Sequence, residues 1–474
     1  MSGPIATDLC VIGGGSGGLA VAAGAVQMGA KVVLIEKAKM GGDCLNYGCV
    51  PSKSLIAASR AAQTVRTAAR FGVNGHEPAI DFRAVHAHVH GVIAAIAPHD
   101  SEERFAGLGV RVLRAAARFT GPREVEVAGQ RVRARRFVIA TGSSPAVPPV
   151  PGLAEAPHLT NESIFDLTER PEHLIVLGGG PIGCELAQAH RRLGARVTLL
   201  ELFRVLPKDD PAAVEIVRRR LLDEGIDLRE QVQVTGVGRE RNGIAVTIAQ
   251  ANLEHTIVGS HLLVAAGRRV NVEGLGLEAA GVDYSPKGIA VDDRLRTSNR
   301  RIYAIGDVAG GYQFTHIAAY HAGIVIRNAL FRLPAKVDTR AVPWVTYTEP
   351  ELAQVGLTEA MASEQGVEVE VLTWPFAEND RAQTERKTDG FVKALLDRRG
   401  RIRGATIVGE RAGELIQPWV LAIAEGLKIG SLAQFIAPYP TLGEASKRAA
   451  GSYYAPKLFS ARTRSIVRLL QRLG

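Results

Sequence analysis

Two cysteines, Cys44 and Cys49, stand with four residues between them in the run GGDCLNYGCVPSKS, residues 41–54. Asn46, Gly48, Pro51 and Lys53 lie between and around them. A loop this short can close a strained disulfide, and a helix beginning just after it would set a thiolate against its N-terminal dipole. The same residues could also be two unrelated buried thiols, or half of a zinc site. Zinc would take two more ligands at matching spacing, and the sequence holds no second cysteine pair.

The stretch just before this loop, residues 8–36, reads DLCVIGGGSGGLAVAAGAVQMGAKVVLIE. An apolar strand runs into Gly13-x-Gly15-x-x-Gly18, an alanine-rich helix follows, and a second strand ends at Glu36. This is a dinucleotide fingerprint in its required setting. The first glycine makes the tight turn, the second admits the pyrophosphate and the third lets helix and strand pack. The helix N-terminus receives the phosphates, and Glu36 would bond a ribose hydroxyl. The pattern returns 165 residues later in HLIVLGGGPIGCELAQAHRRLGARVTLLE, residues 173–201. Gly13, Gly15, Gly18, Gly29 and Glu36 map without a gap onto Gly178, Gly180, Gly183, Gly194 and Glu201. Two such units imply two dinucleotides on one chain. Two cofactor-free Rossmann-like domains would leave the repeated glycines unexplained. Glu201 accepts hydrogen bonds from the 2′- and 3′-hydroxyls of NAD and repels a 2′-phosphate, so NADH is expected over NADPH, although Arg204 works against that bias.

Size and composition frame these motifs. A chain of 474 residues, 46% hydrophobic and 22% charged, is long enough for two to four domains and fits a soluble globular protein. With four cysteines it is not a secreted disulfide scaffold, and no leader-like run opens it, so a reducing cytoplasm is expected. The net charge is +9, but after Glu444 no acidic residue occurs while Lys447, Arg448, Lys457, Arg462, Arg464, Arg468 and Arg472 follow. This is a basic tail on a nearly neutral body, which argues against a nucleic-acid-binding protein. Within it, residues 462–473 are amphipathic at helical period: Arg464, Arg468 and Arg472 share one stripe, with Ile466, Leu469, Leu470 and Leu473 opposite. A basic helix over 460–474 could rest on an acidic membrane surface, on a partner or on its own dimer.

The remaining segments read more coarsely. Residues 55–70 and 82–97 are expected as helices, the second carrying His86, His88 and His90. His86 and His90 could share a helix face, but no acid or cysteine completes a metal site nearby, so no metal is expected. Residues 110–140 alternate as strands do. Pro145, Pro148, Pro149 and Pro151 mark a stiff linker, and LLVAAGRRVNVEGLGL (262–277), with Gly267, marks the crossing back. Cys10 and Cys184 are expected as packing residues. In residues 341–474, the runs WVTYTEP, EVEVLTWPF, GFVKALLD and IRGATIVG read as strands, before helices near 411–427 and 443–456.

The cysteine run resembles, almost residue for residue, the redox-active disulfide of the FAD-dependent pyridine nucleotide-disulfide oxidoreductases, a family that includes dihydrolipoamide dehydrogenase, glutathione reductase and mercuric reductase. The resemblance covers the chain to about residue 455. It implies an α/β fold with two Rossmann-like domains, the NAD domain inserted in the FAD domain, plus a C-terminal α+β dimerisation domain. The corresponding spans are 1–150 and 272–340 for FAD, 151–271 for NAD(P) and 341–474 for the interface of a homodimer. It implies FAD at Gly13, Gly15, Gly18 and Glu36, at the ATGS turn with Thr141 and Gly142 in FVIATGSSP, and at Asp307 in RIYAIGDVAGG. NAD(H) belongs at Gly178, Gly180, Gly183, Glu201 and Gly267, with NADP(H) the less favoured donor. Cys49 then matches the flavin-facing thiol, Cys44 the interchange thiol, Lys53 the lysine near the flavin and Glu185 its acidic partner. His316 is expected only to pack. The activity implied is transfer of electrons from NAD(P)H through FAD to a Cys44–Cys49 disulfide and on to an acceptor.

One departure bears on that acceptor. The family's C-terminal His-Pro-Thr-x-x-Glu, which reaches into the partner's active site, is here APYPTLGEAS, residues 437–446. Tyr439 replaces the histidine, while Pro440, Thr441 and Glu444 remain. Histidine shuttles protons near neutral pH; tyrosine, with an ordinary pKa of about 10, does not. Weak turnover of lipoamide or glutathione disulfide is therefore expected. Mercuric reductases carry tyrosine in a similar stretch, and a soft metal ion needs thiolates rather than a proton shuttle. Those enzymes usually add a C-terminal cysteine pair, which RLLQRLG lacks, and many add an N-terminal metal-binding domain, whereas this sequence opens at the fingerprint. The expected function is a mercuric reductase-like flavoprotein acting on a disulfide, soft metal or other small acceptor. The alternatives are a dihydrolipoamide dehydrogenase-like enzyme for a protein-bound lipoyl partner, and a redox-sensing or electron-transfer flavoprotein.

Overall fold

The computed structural model describes residues 3–241, 243–251 and 253–472. The chain forms two compact units, Met1–Leu202 with Arg229–Val337 and Phe203–Leu228 with Asp338–Gly474.

In the first unit, strand Ile5–Ile12 pairs in parallel with Val32–Ile35 on one side and Gln130–Ile139 on the other. Arg111–Leu113 extends the sheet beyond Val32–Ile35. Besides Ile5–Ile12, the long strand Gln130–Ile139 serves two more neighbours. Its first residues pair antiparallel with Glu124–Val127, and its last three pair in parallel with Ile302–Ala304. Ile302–Ala304 therefore returns to this sheet after more than a hundred residues, carrying the turn with Asp307 to the carboxyl end of the strands, where such sheets bind ligands. Helix Ser16–Gln27 follows the first strand and buries Gly18, Leu19, Val21, Ala22 and Ala25. Gly18 has no substitute: a Cβ there would collide with the carbonyl oxygen of Gly13. Gly183 stands in the same relation to Gly178, so the sequence repeat is a repeat of backbone contact.

The second nucleotide unit is built on His173–Leu177, paired in parallel with Arg196–Leu200 and His261–Val264, and on helix Pro181–Arg192. An antiparallel meander, Gln233–Glu240, Gly243–Gln250 and Leu253–Gly259, precedes the return. The proline-marked linker begins as a strand. Ser143–Pro145 pairs antiparallel with Arg268–Val270, so the outgoing and returning crossings hold one another.

The second unit is a five-stranded antiparallel sheet in the order Pro343–Thr346, Glu351–Gly356, Ile402–Gly409, Phe391–Leu396 and Glu370–Pro375. Glu351–Gly356 is an addition to the sequence reading, which took WVTYTEP as one strand and passed over ELAQVG. That strand is paired on both sides and buried nearly throughout, so it lacks the alternation that marks a half-exposed strand. Helix Pro211–Asp223, inside the span read from sequence as the NAD domain, packs with this sheet. Asp210 caps it, accepting from Ala212 and Ala213, and ion-pairs with buried Lys393 at 2.6 Å. Asp209 accepts from the Trp344 indole at 2.7 Å, and burial pushes its carboxyl up to about 6.

Trp419 is fully buried beneath the sheet and donates to Ser446 at 3.1 Å, tying helix Gln417–Ala424 to helix Glu444–Ser452. Trp419→Ala should cost about 3–5 kcal/mol and lower the thermal midpoint, with Trp419→Phe intermediate, as read by thermal and denaturant unfolding.

Candidate active site

The cysteine loop lies directly on the first fingerprint. The Gly41 amide donates to the Gly14 carbonyl at 2.9 Å, and a Cβ on Gly42 would come within 2.7 Å of the Gly15 Cα. Both Gly41 and Gly42 have positive φ, so two successive glycines let the loop touch the turn that opens helix Ser16–Gln27. The Asn46 side-chain amide closes the loop, donating to the carbonyls of Met40 and Gly42 at 3.0 and 2.8 Å.

Cys44 sits in the short helix Gly42–Asn46, whereas Cys49 is the first residue of the long helix Cys49–Thr67, capped by Gly48 without a side-chain bond. The helix thus starts at the cysteine itself, six residues before the expected start at residue 55, and the Cys49 amide bonds the Cys44 thiol. The two cysteines are present as thiols. A hydrogen bond from Cys44 is the largest influence on Cys49. Against the cost of burial, and helped by the Thr315 hydroxyl at 3.4 Å and the Lys53 charge, it brings the Cys49 thiol down to about 6. Cys44 goes the other way, held protonated by its bond to Cys49, by burial and by the Cys49 charge. One thiolate and one thiol at neutral pH is the arrangement a dithiol needs for stepwise exchange.

Lys53, one turn into the Cys49 helix, ion-pairs at 2.7 Å with Glu185 on helix Pro181–Arg192. Glu185 is 6% exposed, so this bond ties the thiol-bearing helix to the second fingerprint helix in a partly desolvated setting.

Both nucleotide sites fit the dinucleotides expected of them. Helices Ser16–Gln27 and Pro181–Arg192 begin at Gly15 and Gly180 with no side-chain cap, leaving first-turn amides for a pyrophosphate. Nothing stands before a Cβ at Gly180 or Gly267. Glu36 accepts from the Gly14 amide at 2.5 Å and Glu201 from the Gly179 amide at 2.6 Å, so each acid is fixed at the strand end where a ribose would lie. Around the crossing, Thr141 and Asn271 exchange hydrogen bonds at 2.7 and 3.0 Å, and Gly142 has positive φ. Asp307 accepts from Ser143 at 2.5 Å, and burial raises its carboxyl pKa. FAD would be held by Gly13, Gly15, Gly18, Glu36, Thr141, Gly142 and Asp307; NAD(P)H by Gly178, Gly180, Gly183, Glu201 and Gly267.

Several residues here escaped the sequence reading. Arg268 reaches Asp43 at 3.2 Å and donates to Ser143 at 2.7 Å, and Asn161 donates to Asp43 at 3.0 Å, so the crossing grips the cysteine loop. Asp43 adjoins Cys44 and Arg268 adjoins Gly267, so proximity to motifs could have found both. Thr315 had no such signal. His316 stacks on Phe314 with ring centroids 5.2 Å apart. The His86 and His90 rings meet at 4.2 Å, tilted by 37°, and among the described residues no group of three or more His, Cys, Asp or Glu could hold a metal. Cys10 and Cys184 are buried.

Tyr439 and Glu444 belong to the second unit. Tyr439 is 71% exposed and donates its hydroxyl to Asp380 at 3.1 Å; that bond, then the Asp380 charge, raises its pKa. Glu444 opens helix Glu444–Ser452.

A dithiol set on one fingerprint turn, on a helix that Lys53 ion-pairs to the second fingerprint helix, defines a nucleotide-dependent dithiol oxidoreductase. Comparison with known proteins agrees. Residues 7–322 match the pyridine nucleotide-disulphide oxidoreductase family and residues 342–450 its dimerisation domain. Mercuric reductase of Streptomyces lividans is 37% identical, and dihydrolipoyl dehydrogenase of Thermus scotoductus 38%, each alignment covering 94% of this chain and 96% of the relative. Among solved structures, LpdA of Mycobacterium tuberculosis superposes with a TM-score of 0.86 at 29% identity, over 94% of this chain and 99% of that one. The Cu(II) complex of the HOCl-induced flavoprotein disulfide reductase RclA of Escherichia coli gives 0.84 at 28%, over 93% and 99%. The chain belongs to the pyridine nucleotide-disulphide oxidoreductase family. It is an FAD-dependent oxidoreductase with NAD(P)H as donor, and its dimerisation domain supports a homodimer.

In the dithiol form, alkylation at Cys49 should follow a titration near pH 6, slow below it and fast above it, because protonation removes the thiolate. Lys53→Met should move that midpoint upward, since the lysine charge favours the thiolate. Mass-spectrometric rates of iodoacetamide labelling across pH check both. Separately, Glu201→Ala should lower kcat/KM for NADH and raise the NADPH-to-NADH ratio by roughly tenfold or more.

Proposed function

We propose that Cys44 and Cys49 form the redox couple of an NADH-preferring reductase whose acceptor is a soft metal ion of the mercuric type. The observation that carries this reading is Tyr439. Its hydroxyl is held protonated by Asp380, at the position where a disulfide reductase of this family needs a proton shuttle. Reduction of a disulfide by Cys44 forms a mixed disulfide and expels a thiolate that must take a proton. A mercuric ion instead displaces the Cys44 proton to solvent, is held by two thiolates, takes up two electrons that originate in NAD(P)H and leaves as the neutral metal, with no proton transferred to it. Thiolate ligands suit such an ion, and the low pKa of Cys49 supplies one at neutral pH. When bound, FAD supplies two-electron transfer from NAD(P)H to the thiol pair.

In this reading Lys53 and Glu185 hold the Cys49 helix in register with the second nucleotide site. Tyr439 and Glu444 act on the thiols of a second copy in the homodimer. The FAD domain is assigned to 1–150 and 272–340, the NAD(P) domain to 151–271 and the interface to 341–474. A reducing cytoplasm suits exchangeable thiols. The Cu(II) complex of RclA supports including other soft ions among the acceptors.

NADH oxidation by the purified flavoprotein against mercuric ion, copper(II), lipoamide, glutathione disulfide, a quinone and oxygen tests the proposal. Turnover should be greatest with mercuric ion and vanish in Cys44→Ser. Tyr439→His should raise disulfide turnover by about 10²–10⁴, the usual worth of a positioned acid–base group. Wild-type turnover of lipoamide or glutathione disulfide above that of mercuric ion would overturn the assignment. Cys49→Ser should also abolish the long-wavelength thiolate-to-flavin absorption, and a band that survives would reject the role given to Cys49.

A further inference from the structure

Helix Ala461–Leu470 is set by Ser460, whose hydroxyl accepts from the Thr463 amide at 3.2 Å, and none of its residues is buried. At 100° per residue, Ile466, Val467, Leu469 and Leu470 share one side, entered in the first turn by Arg462, while Arg464 and Arg468 occupy the other. All four apolar side chains are exposed, as are Leu458 and Phe459 just before the helix. Leu473 and Gly474, part of the expected amphipathic tail, lie outside the described residues. Three facts bear on what covers this face. The dimerisation-domain match ends at residue 450, so the helix lies beyond the part of the chain that this family model matches. No acidic residue follows Glu444, so nothing within the tail neutralises its arginines. Packing the helix against its own symmetry mate would cover the apolar face but supply no counter-charge from within the tail to Arg464 and Arg468.

We propose that this helix docks the enzyme on an anionic lipid bilayer, lying in the interface with its apolar face in the acyl boundary. An amphipathic helix of low mean hydropathy, basic on its polar face and aliphatic on the other, is the type that lies in a membrane surface rather than spanning it. No helix among the described residues is long and apolar enough to cross a membrane, so any attachment through this helix is peripheral. The arginines supply attraction to the negative surface and the leucines supply burial, so both are needed.

The test is co-sedimentation of the full-length FAD-loaded enzyme with phosphatidylcholine vesicles that contain or lack phosphatidylglycerol. Binding is expected to the anionic vesicles and to fall as salt rises. The double variant Arg464→Gln/Arg468→Gln should weaken it by at least tenfold, at about fivefold per charge. Leu469→Gln/Leu470→Gln should weaken it at least as much. Flavin reduction by NADH should be unchanged in both variants, which shows that they are folded. The proposal is overturned if the wild type ignores anionic vesicles or if either variant binds as well as the wild type. It is equally overturned if, in light scattering, the leucine variant turns dimer into monomer while the wild type binds no vesicles, which would assign the helix to packing between copies.

Discussion

The contact between Gly42 and Gly15 is the constraint on which the rest of the first unit depends. Two backbones meet at Gly42, where a Cβ would come within 2.7 Å of the Gly15 Cα, and this puts the cysteine loop on the turn that opens the first fingerprint helix. A larger residue at position 42 would push the loop that carries Cys44 and Cys49 off that turn. The Gly41–Gly14 hydrogen bond and the Asn46 clasp keep the loop in this place, so the thiols are set by main-chain geometry rather than by flexible side chains.

From that point the electrostatics follow from helix placement. Cys49, the first residue of its helix, receives the Cys44 hydrogen bond and the Lys53 charge together, while its own amide bonds Cys44. Lys53 in turn is held by Glu185, on the helix of the second fingerprint. The thiolate and the two nucleotide sites are thereby parts of one connected arrangement. The repeated collisions that forbid side chains at Gly18 and Gly183 keep both fingerprint helices tight on their strands.

Much of this was legible in the sequence because it is local. The fingerprints, the acids at their strand ends and the cysteine run all declare themselves within about thirty residues, where spacing alone fixes the geometry. What stayed hidden depends on residues far apart in the chain. Thr315 meets Cys49 across 266 residues with no motif of its own. Glu351–Gly356 carries no alternation because both its faces are buried, and helix Pro211–Asp223 gave no sign in sequence that it packs with the second unit's sheet. The replacement of histidine by Tyr439 was plain from the sequence. Its partner was not: the hydroxyl bonds Asp380, 59 residues away in the chain.

The central claim is that Cys44 and Cys49 are a redox couple working in series with the flavin. Anaerobic reductive titration of the purified, air-oxidised flavoprotein tests it most directly, by counting electrons taken up per flavin. The account predicts that the wild type consumes twice as many as Cys44→Ser, since the disulfide accepts as many electrons as the flavin does. Equal uptake by the two proteins would contradict it, because the thiols would then store no electrons at all.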